Sequence, residues 1–481
     1  MFDFIIVGAG SAGCVLANRL SADPTVRVLL LEAGDEDSGI PEIQMPAAWP
    51  ALRGSSVDWN FATEPDSMAG TRTIAWPRGR VLGGSSATNA MIYIRGDRSD
   101  YDLWSEMGNA GWAYDEVLPF FLKSELNVAD GRWVTPLAYA FLDACERSGI
   151  EHVPDFNDSS PMGASLFQFT QKGGRRWSAA QAYLAPIRSR SNLTVEVKAH
   201  ATRIRFEGRR AVAVDYECDG IPKSALASQE IILSAGAIGS PHLLLRSGVG
   251  PAHELEAVGI TSVVDLPGVG KNLQDHAMLF VSYSCTSPVS MFGAVTPENI
   301  EAFVGAGSGP LTCNGVEAGA FLKTDRRSRV ADLQIHFVAY CFSGPGVVAD
   351  RHGFAIAPTL LHPKSRGEIV LRSADLFAPP VIRPRYLTEQ ADLDVLVDGI
   401  SIARQLATSG AFDSFGSIEV LPGRDVQDRA DVERWIRENV DTCFHPTGTC
   451  KMGSDSEAVV NPALRVRGGG GPSSCRCFDY A

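Results

Sequence analysis

Gly8-Ala9-Gly10-Ser11-Ala12-Gly13 sets three glycines at the spacing of a phosphate-binding turn. Gly8 permits the tight turn, Gly10 lets the backbone approach a pyrophosphate, and Gly13 admits close helix packing. Ser11, which can cap a helix, and Ala12 then open one whose free N–H groups would meet phosphate charge. Glu32 ends the next apolar run, where a carboxylate accepts hydrogen bonds from ribose hydroxyls and repels a 2′-phosphate. Dinucleotide binding is expected and NADP is disfavoured, but the turn alone does not separate FAD from NAD. A second glycine-rich segment spans 79–96, and an imidazole stands in His445-Pro446-Thr447-Gly448-Thr449. Histidine is the side chain that titrates near neutral pH, the requirement for moving a proton from a weakly acidic group. His276, His336 and His362 lack a comparable setting and read as structural. Ten cysteines lie scattered from Cys14 to Cys477 without paired metal spacing, so reduced, mostly structural thiols and no metal site are expected.

The elements that must position these groups are legible in outline. Residues 4–7, 12–20 and 26–31 read as strand, helix and strand, one βαβ unit punctuated by Ser21-Ala22-Asp23-Pro24. Residues 34–74 break into Pro, Gly and aromatic positions, too long for an ordinary connection and therefore a functional excursion. Two alternating runs, 193–197 and 211–216, suggest a hairpin or meander, and 230–234 is a short buried strand feeding a helix through Leu245. Further on, 333–339, 354–360 and 368–371 read as strands, 392–406 and 431–438 as helices. The fold class is α/β: a discontinuous Rossmann-like nucleotide domain (1–125, 188–280, 446–481) interrupted by a sheet-and-helix substrate domain (126–187, 281–445). With 481 residues, 45% hydrophobic and 21% charged, the chain is long enough for both cores. Its 43 basic and 56 acidic residues leave a net charge of −13, which argues against nucleic acid. No apolar run approaches the roughly 20 residues of a spanning helix, and a cytoplasmic protein is expected.

Gly79-Arg80-Val81-Leu82-Gly83-Gly84-Ser85-Ser86-Ala87-Thr88-Asn89-Ala90-Met91-Ile92-Tyr93-Ile94-Arg95-Gly96 closely resembles the first signature of the glucose-methanol-choline (GMC) flavoenzymes. The run from Gly236 to Gly250 is similar to their second signature, and Asn272-Leu273-Gln274-Asp275-His276 and His445-Pro446-Thr447-Gly448-Thr449 continue the likeness. The resemblance covers nearly all of the chain to about Gly468 and implies FAD as cofactor. It also implies FAD contacts from Val81, Gly83, Gly84, Asn89, Ala90, Met91, Ile92 and Val197. Covalent members carry a flavin-bonded His where this chain has Thr88, so the FAD is expected to be non-covalent. The stretch 127–133 is shorter than the resemblance implies.

The implied reaction is oxidation of a primary alcohol, possibly choline-like, to the aldehyde, with His445 as proton acceptor and oxygen or a quinone taking the electrons. Glu317 falls where choline-oxidising relatives place a carboxylate near the substrate ammonium. A non-redox hydroxynitrile-lyase-like activity is the alternative on the same scaffold; an oligomer is compatible with the sequence. After Arg465-Val466-Arg467-Gly468 the family pattern would continue with a strand bringing an Asp to the flavin phosphates, whereas 469–481 departs from it. Codons for the family's residues, read out of frame, spell Gly470 through Ala481. A frameshift near Gly469 is therefore expected, with loss of the last strand and helix, and with an inactive remnant as its extreme consequence.

Overall fold

The computed structural model describes residues 1–158, 161–325, 327–468 and 475–477; the expected frameshift and most of the tail it produces lie outside them. Strand Phe2–Val7, helix Ser11–Leu20 and strand Val28–Leu31 form the expected βαβ unit. They sit in a sheet of seven strands among the described residues. Phe2–Val7 lies at its centre, parallel to Val28–Leu31 on one side and to the C-terminal half of Ile221–Leu233 on the other. Leu193–Glu196 extends the sheet in parallel beyond Val28–Leu31. It therefore does not form a hairpin with the run at 211–216. That run pairs with Ala199–Glu207 instead, and the meander Ala199–Glu207, Arg210–Cys218, Ile221–Leu233 turns at Gly208 and Gly220. The short strand read at 230–234 is the end of a 13-residue strand whose two halves serve the meander and the parallel sheet in turn.

The second core is an antiparallel sheet in the order Ile418–Leu421, Val281–Ser284, Gly353–Leu360, Leu333–Val338, Val316–Leu322, Gly163–Leu166. Helices Gln390–Ala407 and Pro136–Arg147 pack against it through Leu393, Leu396, Ile400, Phe141 and Ala144. The domain boundary needs one shift. Ala179, Ala180, Tyr183, Leu184 and Ile187, expected in the substrate domain, share a core with Ile6 and Leu30, and Asn18 Nδ2 donates to the Tyr183 carbonyl at 2.7 Å. The apolar face of helix Ser11–Leu20 requires that cover. A strand also forms where loss was expected: Cys475–Cys477 runs parallel to Ile231, Ile232 and Leu233, with Arg476 on Glu230. Cys14, Cys145, Cys218, Cys285, Cys313, Cys341 and Cys443 are free thiols, and no group of three metal-ligating side chains occurs among the described residues. No described helix is long and apolar enough to cross a membrane.

Candidate active site

The glycine turn begins where the central strand ends. A Cβ on Gly13 would lie 1.9 Å from the Gly8 carbonyl oxygen, so only glycine lets the helix rise this close to the turn. Gly10, rather than Ser11, is the N-cap, and no side chain caps the helix. This corrects the expectation for Ser11: the extended N-cap position falls on Gly10, which has no side chain, so the first N–H groups of the helix carry no side-chain cap. Around Gly10 the nearest Cβ neighbour is 3.8 Å away, which leaves room for a ligand. Glu32 is buried, accepting from Ala9 N at 2.9 Å and Gly34 N at 2.8 Å. Burial pushes its pKa up to about 7 against the pull of those N–H groups. Val197 lies just past its strand, in the corner where Ala199 N donates to the Glu32 carbonyl at 2.7 Å.

The second glycine loop lies on the first. Gly83 N donates to the Ala9 carbonyl at 2.8 Å, and a Cβ on Gly84 would fall 2.8 Å from Gly10 Cα. Val81 is fully buried and bridges to Asp35. Asn89 is exposed; Met91 is buried with φ +63°, a left-handed conformation uncommon for its type; and Ile92 enters a strand beside Gln168–Lys172. Asn314 Nδ2 donates to the Ala90 carbonyl. A cradle of two touching glycine turns, a helix N-terminus without a side-chain cap and a carboxylate at the strand end fits FAD.

Arg176 locks this loop, and nothing in Gly173-Gly174-Arg175-Arg176 distinguishes it from an exposed turn. Its side chain is wholly buried, donating to the carbonyls of Ile43 (2.8 Å), Ser86 (3.1 Å) and Asn89 (2.7 Å) and to Asn89 Oδ1 (2.7 Å). No carboxylate pairs with it among the described residues, and burial lowers its pKa to about 9. Arg176→Met removes an uncompensated charge but strands one buried and two part-buried carbonyls, the buried one at about 1–3 kcal/mol, and frees the loop they hold. We expect FAD affinity to fall by roughly tenfold or more, the equivalent of about 1.4 kcal/mol, in a fluorescence titration of the apoprotein.

His445 sits where two distant motifs zip together. Asp441–Thr442 pairs with Ala277–Met278, Cys443 N donates to the His276 carbonyl at 2.9 Å, and Gln274 and Thr447 exchange backbone hydrogen bonds. Phe444 is held at φ +66°. Asp275, buried, accepts from His445 N at 2.8 Å, from Thr442 Oγ1 at 2.5 Å and from the Tyr386 hydroxyl. The Arg78 guanidinium donates to the Phe444 carbonyl. The His445 ring is exposed, yet protein surrounds it densely enough to lower its pKa well below the ordinary value, with His276, His336 and Arg78 adding to the effect. Exposure at one edge softens the burial contribution. His445 Nδ1 is 3.3 Å from His276 Nδ1, with the rings nearly perpendicular. His276, read from the sequence as structural, thus lies against His445, whereas His336 is buried on Thr359 Oγ1 at 3.1 Å. Nε2 of His445 has no protein partner among the described residues.

Glu317 is buried: Oε1 accepts from Thr135 N and Oε2 from Thr135 Oγ1, both at 2.6 Å, at the start of helix Pro136–Arg147. Its carboxylate is matched to a helix N-terminus, and burial raises its pKa.

With this geometry in view, comparison with known proteins is decisive. The chain matches the GMC oxidoreductase family over residues 2–278 and again over 363–471. It belongs to that family. It is 39% identical to an alcohol dehydrogenase [acceptor] of Pseudomonas putida and 38% identical to an oxygen-dependent choline dehydrogenase of Brucella ovis, in each case over 97% of this chain and 89% of the relative. Among solved structures it resembles pyridoxine 4-oxidase from Mesorbium loti (31% identity, TM-score 0.89, 100% of this chain and 94% of the other). An FAD-dependent oxidoreductase from Chaetomium thermophilum is similar at 25% identity and TM-score 0.90, with the same coverage. The GMC chain is thus an FAD-dependent oxidoreductase of the alcohol-oxidising class.

Proposed function

We propose that this GMC enzyme oxidises a primary alcohol to the aldehyde, with His445 as the general base. The observation that carries the reading is the tethered, exposed imidazole whose Nε2 is free while Nδ1 faces His276. A neutral histidine holds one ring proton, so a proton on Nδ1 shared with His276 leaves Nε2 as the acceptor for the substrate hydroxyl. A lowered pKa keeps that acceptor unprotonated at neutral pH. Bound FAD supplies a two-electron hydride acceptor. As the hydroxyl proton passes to His445, negative charge grows on the substrate oxygen, and the enclosed Arg78 charge behind the Phe444 carbonyl favours that change electrostatically. Electrons then pass to oxygen or a quinone. The test is anaerobic absorbance after adding a primary alcohol: loss of the flavin band is expected. Cleavage of a cyanohydrin with the band unchanged would instead support the lyase reading.

Thr88 offers no imidazole for a flavin bond, so the cofactor is held by contacts alone. Acid denaturation is expected to release all the flavin to the supernatant. Colour remaining on washed, precipitated protein would show a covalent link.

A further inference from the structure

Arg53, in the long excursion after the first βαβ unit, stands between two aromatic rings. Its guanidinium carbon is 4.5 Å from the Trp49 ring centroid and 4.4 Å from that of Phe444. Phe444 directly precedes the general base. Trp49 Nε1 donates to the Asn314 carbonyl at 2.8 Å, and Asn314 holds the Ala90 carbonyl of the second glycine loop. Trp49 also packs on the cluster containing Met91 and Cys443. The arginine is thus fixed at the wall shared by the flavin-facing loop and the His445 loop.

The guanidinium is half-buried and forms neither a hydrogen bond nor an ion pair with any described residue. Two acids lie near enough to act on its charge, Asp58 and Asp441, but neither forms an ion pair with it, and both Asp58 oxygens and one of Asp441 are taken up locally. Asp58 accepts from the N–H groups of Gly54, Asn60 and Arg78, and Asp441 from that of Thr442. Arg72 and Arg78, also without ion pairs among the described residues, donate to the Val440 and Phe444 carbonyls of the same loop.

A pair of aromatic faces beside the base is what a quaternary ammonium substrate would need, but here the protein's own cation occupies it. With Glu317 engaged by Thr135, Asp58 and Asp441 are the carboxylates that act on the Arg53 charge, and neither pairs with it directly. Arg53 presents planar donors without protein acceptors, the geometry that matches a carboxylate in two parallel hydrogen bonds. We infer that Arg53, clamped by Trp49 and Phe444, binds the anionic group of the substrate, and that the preferred substrate is a carboxylate-bearing primary alcohol. This rests on the alcohol-oxidation reading above.

Matched substrates test it: 4-hydroxybutanoate, 1-butanol and choline, compared by anaerobic flavin reduction in the holoenzyme. We expect kcat/KM for the hydroxy acid to exceed that for butanol by roughly tenfold or more, with choline lowest. Arg53→Met should collapse the hydroxy-acid-to-butanol ratio by at least about tenfold, the scale of one charge-assisted pair. Arg53→Lys should restore part of the ratio, since it keeps charge but loses the fork. Preference for butanol or choline, or a ratio unchanged in Arg53→Met, overturns the anion site while leaving alcohol oxidation standing. Butanoate, which cannot be oxidised at a carbinol, supplies a readout independent of turnover. It should perturb the flavin absorbance of the parent enzyme at lower concentration than that of Arg53→Met. If no alcohol reduces the flavin but butanoate binds in this Arg53-dependent way, the function reading fails and the anion site survives; equal butanoate binding in both proteins overturns the site.

Discussion

His445→Ala lowers the rate of anaerobic flavin reduction by alcohol by about 10²-fold or more while the holoenzyme keeps its FAD, the usual scale for removing a positioned general base. The reason the effect should be confined to chemistry lies in what holds the segment. The His445 backbone N–H is on Asp275, Thr447 pairs with Gln274, and Thr449 Oγ1 donates to the Ala237 carbonyl at 2.6 Å. None of these contacts uses the imidazole. The side chain's one hydrogen-bond partner among the described residues is His276 Nδ1, so its truncation disturbs the proton path and none of the bonds that hold the segment. Stopped-flow traces with a saturating alcohol decide the matter: unchanged reduction kinetics exclude His445 as base, and loss of FAD on the same substitution assigns it to cofactor binding instead.

Asp275→Ala should be the most damaging single change to stability, lowering it by roughly 3–5 kcal/mol, the cost of breaking a buried charged network on one side. The Tyr386 and Thr442 hydroxyls and the His445 N–H would lose their acceptor together, and the enclosed Arg78 would lose the anion that acts on it most strongly. Burial raises the Asp275 pKa, but donors on both oxygens and the Arg78 charge oppose this. Asp275→Asn separates structure from electrostatics. Its amide oxygen still accepts from His445 N, and its NH₂ donates to hydroxyls that turn to receive it. It should therefore recover most of the urea midpoint lost in the alanine variant, while flavin reduction still falls by about tenfold through the missing charge. Equal midpoints for Asp275→Ala and the parent would remove Asp275 from any positioning role.

What the sequence by itself determined is local. The turn Gly8-Ala9-Gly10-Ser11-Ala12-Gly13, the helix after it and the terminal Glu32 form one contiguous unit whose spacing is dictated by backbone sterics, so it reads directly from the chain. The run 79–96 and the His445-Pro446 element are equally contiguous, which is why the family and its cofactor were legible before any coordinate. Apolar runs also marked two strands of the second sheet, Leu333–Val338 and Gly353–Leu360, and the helices Gln390–Ala407 and Arg429–Asn439, with ends displaced by a residue or two. Groups whose role depends on a distant partner were not legible. Glu317 carries the charge expected of a substrate cation site, but only the fold brings Thr135 under it, and burial without that partner would be costly. Nothing in the sequence marks Arg176 or Arg53, because the carbonyls that satisfy one and the Phe444 ring that closes over the other come from segments remote in sequence. Asp275 and His276 were visible as letters of a motif, but their union with His445 spans about 170 residues. Burial, counter-charge and hydrogen-bond partners are properties of three-dimensional surroundings, and the tertiary structure alone decided which of these polar side chains belong to the site.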